Sequence, residues 1–220
     1  MIEMTHQRWT YTQDYLRDVF GKQDDQLAGL MKAAVEAGLP DIAVSADVGR
    51  LLMIQTAMTR GRLAIEVGTL GGYSGIWIAR GLADDGRLIT IDCEQTHADF
   101  AAQQFERAGI AGRVEQRLGP AIDVLDVLAR DLEPGSVDVV FLDADKLEYP
   151  AYWHRVRDLI APGGLLLADN VLGSSWWIDD EDDPQRSAAD ELNRSVASDP
   201  DFEAVAVPIR QGVLIARRRD

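Results

Sequence analysis

In Val137-Asp138-Val139-Val140-Phe141-Leu142-Asp143-Ala144-Asp145-Lys146 an apolar run stops abruptly in two carboxylates and a lysine. Five of the six residues from Val137 to Leu142 are apolar, the pattern of a strand buried on both faces of a parallel sheet. Ligands of open α/β sheets sit beyond the carboxyl ends of the strands, so charges crowded there are candidates for chemistry. Gly164-Leu165-Leu166-Leu167-Ala168 followed by Asp169-Asn170 repeats the design. As neighbours, the two strands would bring Asp143, Asp169 and Asn170 together as three oxygen ligands. Either end alone reads equally well as an ordinary polar terminus, since strand-end acids are common in α/β folds. The two together, with Lys146, favour a site.

Around this core, strands and helices alternate. Leu63–Val67 is a strand, and it runs into the turn Gly68-Thr69-Leu70-Gly71-Gly72-Tyr73-Ser74-Gly75 and a helix through Ile76, Ile78 and Ala79. A strand Arg87–Ile91 ends at Asp92, with a helix from about Glu94 to Ala108 behind it. A weaker strand near Val114–Leu118 leads through Gly119-Pro120-Ala121 into a helix over Ile122–Leu128. After the central strand come a helix from about Pro150 to Ile160 and the strand to Asp169. This is a doubly wound βα layout with right-handed crossovers. The short turn Gln211-Gly212 between Phe202–Ile209 and Val213–Ala216 makes the last two strands an antiparallel hairpin, preceded by a helix near Gln185–Ala197. Before residue 61 the reading is helical. Tyr15-Leu16, Val19-Phe20, Leu27 and Leu30-Met31 recur at helix spacing, and Gly38-Leu39-Pro40 stops the segment. Ser45-Ala46-Asp47 then reads as an N-cap for a helix carrying Leu51, Leu52, Ile54 and Met58. One domain over 1–220 is expected, with a helical cover over about 1–60 and the catalytic core over 61–220.

The 220 residues suffice for a substantial core. A composition of 46% hydrophobic and 27% charged residues is that of a folded chain. No apolar run approaches the roughly 20 residues that span a bilayer, and Met1–His6 lacks the layout of a signal peptide. Cys93 is the only cysteine, so no internal disulfide can form and a reducing cytoplasm is the expected setting. The usual Cys/His zinc spacings are missing. A formal charge of -15 argues against a nucleic-acid surface, although Arg217-Arg218-Arg219 forms one local basic patch.

A strand, a glycine-rich turn and a helix make a nucleotide-type site, with an acid roughly 20 residues on for ribose hydroxyls. Asp92 stands about there. A dehydrogenase competes for this reading, but Gly68-x-x-Gly71-Gly72-x-x-Gly75 is not G-x-G-x-x-G, and no P-loop Gly-Lys-Ser/Thr ending follows. Glu66, just before the turn, would repel a pyrophosphate and suits a cationic ligand. Glu66 and Asp92 without a phosphate signature point to S-adenosylmethionine (SAM), whose sulfonium and amino groups are positive.

Glu66-Val67-Gly68-Thr69 with Gly72-Tyr73-Ser74, then Asp143-Ala144-Asp145-Lys146, then Ala168-Asp169-Asn170 resemble the cation-dependent class I O-methyltransferases, which include catechol and caffeoyl-coenzyme A O-methyltransferases. The resemblance covers roughly Ile42 to Arg217. It implies a Rossmann-like seven-stranded sheet whose last hairpin is inserted antiparallel. It also implies Asp143, Asp169 and Asn170 as ligands of a divalent cation, with Lys146 as general base and Asp143 beside it in the catalytic set. For SAM it implies Glu66, Gly68 and Ser74 around the methionine part with Ile42 and Val44, Asp92 at the ribose and Ala121 beside the adenine. Tyr73, Cys93 and Asp143 complete the cofactor set. A homodimer is expected from the helices preceding the core and from similar bacterial and plant enzymes.

Two departures stand out. Val48 replaces the Glu or Lys of many relatives, and Asp145 replaces a tryptophan that covers the substrate in catechol methyltransferases. Trp176 and Trp177 offer either an aromatic wall or an exposed or oligomer-buried loop, next to the acidic run Asp179–Asp183.

Methyl transfer to a hydroxyl needs a largely deprotonated nucleophile, and a phenol has a pKa near about 10. A cation lowers that value and fixes two neighbouring oxygens. Two Asp and one Asn are hard ligands, which suits Mg²⁺, or Mn²⁺ or Ca²⁺, better than zinc. A lysine beside a cation can lose its proton and act as base; the bland reading of Lys146 is a surface salt bridge with Asp145 or Glu148. The expected function is transfer of a methyl from SAM to a hydroxyl of a small catechol-like acceptor. The alternatives are methylation of hydroxyuridine in tRNA, and a non-catalytic SAM- or metal-binding module.

Overall fold

The computed structural model describes residues 5–173 and 182–220, so Trp176, Trp177 and most of the acidic run lie outside the described residues. One seven-stranded sheet runs β3-β2-β1-β4-β5-β7-β6. Its strands are β1 (Leu63–Val67), β2 (Arg87–Asp92), β3 (Val114–Leu118), β4 (Val137–Leu142), β5 (Ile160–Asp169), β6 (Phe202–Val207) and β7 (Val213–Arg218). β1 to β5 are parallel, while β7 lies antiparallel between β5 and β6. The α-helices among the described residues are α1 (His6–Phe20), α2 (Asp25–Glu36), α3 (Ala46–Thr59), α4 (Tyr73–Gly81), α5 (Gln95–Arg107), α6 (Ala121–Asp131), α7 (Tyr149–Val156) and α8 (Pro184–Ser198).

The run Val137–Leu142 is a buried central strand because its apolar side chains serve both faces. Val137, Val140 and Leu142 pack with Tyr152, Trp153 and Leu192 under α7 and α8, whereas Val139 and Phe141 join Leu52, Ile76 and Ile78 under α3 and α4. Its one polar member, Asp138, lies at the opposite end from the acids. There its Oδ2 accepts the backbone N–H groups of Arg62 (2.6 Å) and Leu63 (3.0 Å), which fixes where β1 begins.

The N-terminal cover differs from its periodicity. The apolar spacing carried helix through to Gly38, but the chain breaks between Phe20 and Asp25. The Asp24 side chain accepts from Leu27 N at 2.9 Å and pairs with Arg80 at 2.7 Å, so a contact to α4 re-starts the helix there. Ser45 occupies the N-cap of α3 as expected, yet its hydroxyl makes no capping bond. β5 begins at Ile160, where the sequence suggested the end of a helix. The backbone tightens over Arg157–Leu159, and the pairing with β4 shifts register between Val137 and Val139.

Candidate active site

β1 pairs with β2 on one side and β4 on the other, so successive crossovers leave its carboxyl end in opposite directions. That is the topological switch point, where a crevice opens. A cavity of about 840 Å³ lies there, within the range of small-molecule sites. Of the expected cofactor residues, Ile42, Val44, Gly68, Tyr73, Ser74, Asp92, Cys93, Ala121 and Asp143 line it. Lys146 and Asn170 line its other end. Glu66 and Asp169 do not line it, and both are buried immediately behind its wall.

The glycine-rich turn is built by close approach. Gly68 has φ +106°, and a Cβ there would stand 2.4 Å from the Asp143 carbonyl oxygen, so only glycine fits between β1 and β4. Gly72, at φ +80°, opens α4. Asp92 has a larger task than expected. Its Oδ2 accepts the N–H groups of Thr69 (3.1 Å) and Leu70 (2.8 Å), while its Oδ1 accepts from Glu94 N (2.9 Å) and lies 3.1 Å from His97 Nδ1. The amides that would face a phosphate in a dinucleotide turn are thus held by the acid of the next strand.

Glu66 is fully buried beneath this turn. Thr90 donates to its Oε2 at 2.6 Å, and Thr69 stands 2.6 Å from Thr90, so a hydroxyl chain leads from the turn to the carboxylate. Glu66 Oε1 is buried without a hydrogen-bond partner. Burial pushes the Glu66 carboxyl up to about 7, an effect neighbouring hydroxyls only partly offset.

At the other end, register brings the acids together. Leu142 pairs with Ala168, so Asp143 and Asp169 leave adjacent strands side by side. The buried Tyr149 hydroxyl, shared between the carbonyls of Leu142 (3.0 Å) and Asp169 (2.8 Å), ties the two ends. Asp143 Oδ1 accepts from Lys146 Nζ at 2.8 Å, and that ammonium also lies 5.2 Å from the Tyr149 ring centroid. This pairing displaces the bland expectation of Asp145 or Glu148 as the partner of Lys146. Asp169 is 1% exposed. Its Oδ1 has no hydrogen-bond partner, and its Oδ2 lies 3.5 Å from Arg210 Nη1. Burial, with Asp143 nearby, raises the Asp169 carboxyl to about 7; burial likewise raises that of Asp143, against the pull of Lys146. Asn170 adopts φ +57° and donates its amide to Gln211 Oε1 at 3.3 Å.

Among the described residues no group of three His, Cys, Asp or Glu is gathered at metal-binding range. A cation here would need the Asn170 amide oxygen as its third donor. Two carboxylates and an amide suit a hard cation, and the unsatisfied Asp169 oxygen is the atom such an ion would satisfy. Sequence reasoning missed His97, which pairs with Asp92, and the turn residues Arg210 and Gln211, which line the cavity. Neither carries a motif, and pairing of β7 with β5 is what brings the turn to Asp169.

A switch-point crevice with a buried acid under a glycine turn whose amides are already engaged defines a class I methyltransferase fold. Comparison with known proteins agrees, since residues 18–219 match the O-methyltransferase family. The catechol O-methyltransferase of Niastella koreensis is 38% identical over 169 residues, covering 77% of this chain and 76% of that one. The catechol O-methyltransferase of Mycobacterium tuberculosis is 38% identical over 184 residues, covering 84% and 82%. Among solved structures, the O-methyltransferase of Bacillus cereus in complex with S-adenosylhomocysteine superposes with TM-score 0.87 at 33% identity, over 97% of this chain and 99% of that one. TomG of Streptomyces achromogenes, an O-methyltransferase of tomaymycin synthesis in complex with SAM, gives 0.86 at 34% identity over 99% and 100%. The chain belongs to the O-methyltransferase family and is a SAM-dependent enzyme.

Proposed function

We propose that this enzyme methylates one hydroxyl of a small vicinal dihydroxy aromatic, with a divalent cation held by Asp143, Asp169 and Asn170. The observation that carries the reading is the buried, unsatisfied Asp169 oxygen beside Asp143 and Asn170, at the wall of the cavity that the glycine turn also lines. The names of the two catechol O-methyltransferase relatives support the acceptor class.

SAM, when bound, supplies an electrophilic methyl on a positive sulfonium. For it the chain would offer Gly68 and Ser74 to the methionine part, with Ile42, Val44 and Tyr73 in the same cavity lining. Asp92 would take the ribose and Ala121 the adenine, with Cys93 beside them in the cavity lining. Glu66 contributes negative charge behind the turn that a cationic ligand would draw into its ionised form. A divalent cation, when bound, lowers the pKa of the acceptor hydroxyl and fixes it beside its neighbour. Lys146 stands next to Asp143 and takes the hydroxyl proton in its neutral form. The methyl carbon–sulfur bond breaks as the carbon–oxygen bond forms, leaving S-adenosylhomocysteine, a methyl ether and a proton.

The charge of -15 supports a small acceptor over RNA. No helix of the described residues is long and apolar enough to cross a membrane, and a reducing cytoplasm suits the exposed thiol of Cys93. A homodimer is supported by α1, which has no buried residue and presents Tyr11 (72% exposed), Tyr15 and Phe20 to solvent. Met58 on α3 is 73% exposed. Exposed apolar side chains of this kind would suit an interface with a second copy.

The deciding experiment is a methyl-transfer screen with catechols, caffeoyl thioesters and hydroxylated natural-product scaffolds, with and without Mg²⁺. Full turnover in excess EDTA, in protein shown to be metal-free, would refute the cation's part.

A further inference from the structure

Arg210 stands in the turn between β6 and β7, with its backbone at φ +51°, a conformation that side-chain-bearing residues adopt at a cost. The turn is held in place nevertheless. Arg210 N donates to Gln13 Oε1 at 3.2 Å, Gly212 N to Ile209 O at 2.8 Å, and Leu172 N to Gln211 O at 2.8 Å. The guanidinium reaches across to Asp169 Oδ2 (3.5 Å) and the Ala43 carbonyl (3.4 Å), both through Nη1. Its Nε and Nη2 make no hydrogen bond among the described residues, and the side chain lines the cavity with Ile42, Lys146, Asn170 and Gln211.

This geometry has a consequence for metal binding. Asp143 pairs with Lys146 and Asp169 with Arg210. A divalent ion seated on the same acids would compete with both cations. It would free the guanidinium from Asp169, with a planar fork of donors left for whatever shares the cavity. A carboxylate on the acceptor is a partner whose two oxygens fit that fork.

We propose that Arg210 is a specificity-determining residue: it occupies Asp169 as a built-in counter-cation until a metal takes that acid, and then binds a carboxylate carried by the aromatic acceptor. This rests on the metal-dependent reading above and deepens it by naming the acceptor as a dihydroxy aromatic acid.

Protocatechuate and its neutral carboxamide, which share the ring and both hydroxyls but differ in the charge of one substituent, form the test pair. With saturating SAM and Mg²⁺, wild-type kcat/KM should favour the carboxylate by about tenfold or more, the usual scale for a charged hydrogen-bond partner. Arg210→Gly suits the left-handed backbone and should bring the ratio close to one. Arg210→Lys, which keeps the charge without the fork, should fall between. Without SAM or acceptor, electron paramagnetic resonance titration of Mn²⁺ should show severalfold tighter binding to Arg210→Gly, because the competing cation is gone. The assignment is overturned if the wild-type ratio is near one, if it survives in Arg210→Gly, or if Mn²⁺ affinity does not rise. Wild-type protein that binds no Mn²⁺ and methylates neither compound would instead refute the underlying reading, and this role for Arg210 with it.

Discussion

Glu66 offers the most quantitative test. A carboxyl moved from an ordinary 4.5 to about 7 by burial holds its proton in the folded state over a window in which the unfolded chain has released it. The folded state then binds more protons, so stability falls as pH rises. The loss starts near the unfolded value, continues through the folded value and levels off above about 7. Integrating between those limits gives about 2–3 kcal/mol lost between about pH 5 and pH 8. Glu66→Gln removes the titration. Its amide brings its own desolvation cost, since Oε1 has no partner, but that cost is the same at both pH values and cancels in the comparison. Asp143 and Asp169 titrate in both proteins and largely cancel too.

Urea unfolding of ligand-free, chelated protein at the two pH values is the assay. The stability difference between variant and wild type should shift in favour of Glu66→Gln by about 2–3 kcal/mol on going to the higher pH. Adding SAM should recover part of the wild-type loss, as a bound cation favours the ionised carboxyl, and should recover less in the variant. Parallel pH profiles for the two proteins would refute the reasoning and place Glu66 as an ordinary ionised strand acid.

Asp169→Ala should abolish turnover, leave SAM affinity by calorimetry largely intact and resist rescue by Mg²⁺; activity restored by the metal would remove Asp169 from the ligand set. Lys146→Met should lower kcat by roughly 10²–10⁴-fold, as for a lost general base, while Mn²⁺ still binds. Asp92→Ala should weaken SAM binding and also lower the unfolding midpoint, because the N–H groups of Thr69 and Leu70 lose a charged acceptor, worth about 1.5–3 kcal/mol for a hydrogen bond to a charged group. Light scattering should give a particle of twice the 24.2 kDa chain mass at micromolar concentration; a monomer there would count against the dimer.

What the sequence carried and what it withheld divide along a physical line. Val137–Leu142 was legible as a central strand because burial on both faces leaves a mark in every residue. The Phe202–Ala216 hairpin was legible because a short connection can only join antiparallel strands. The break before Asp25 was not, since it depends on Asp24 meeting Arg80 from α4, a contact that leaves no local pattern. Ser45 shows the converse: the residue type marked the start of a helix, yet its hydroxyl does no capping.

The site divides in the same way. Strand-end acids advertise themselves because an apolar run stops at them, and Gly68 because its backbone admits no side chain against Asp143. Asp92 was found for its spacing and expected at a ribose, but its oxygens are already given to Thr69, Leu70, Glu94 and the neighbouring His97. A ribose that binds there must therefore share or replace one of those donors. The two donors from the turn are needed to hold it, which leaves those at Oδ1, from Glu94 and His97, as the exchangeable ones. Arg210 had no such signature. A lone arginine in a hairpin turn resembles any solvated loop cation until β7 is paired with β5, and only then does it face Asp169.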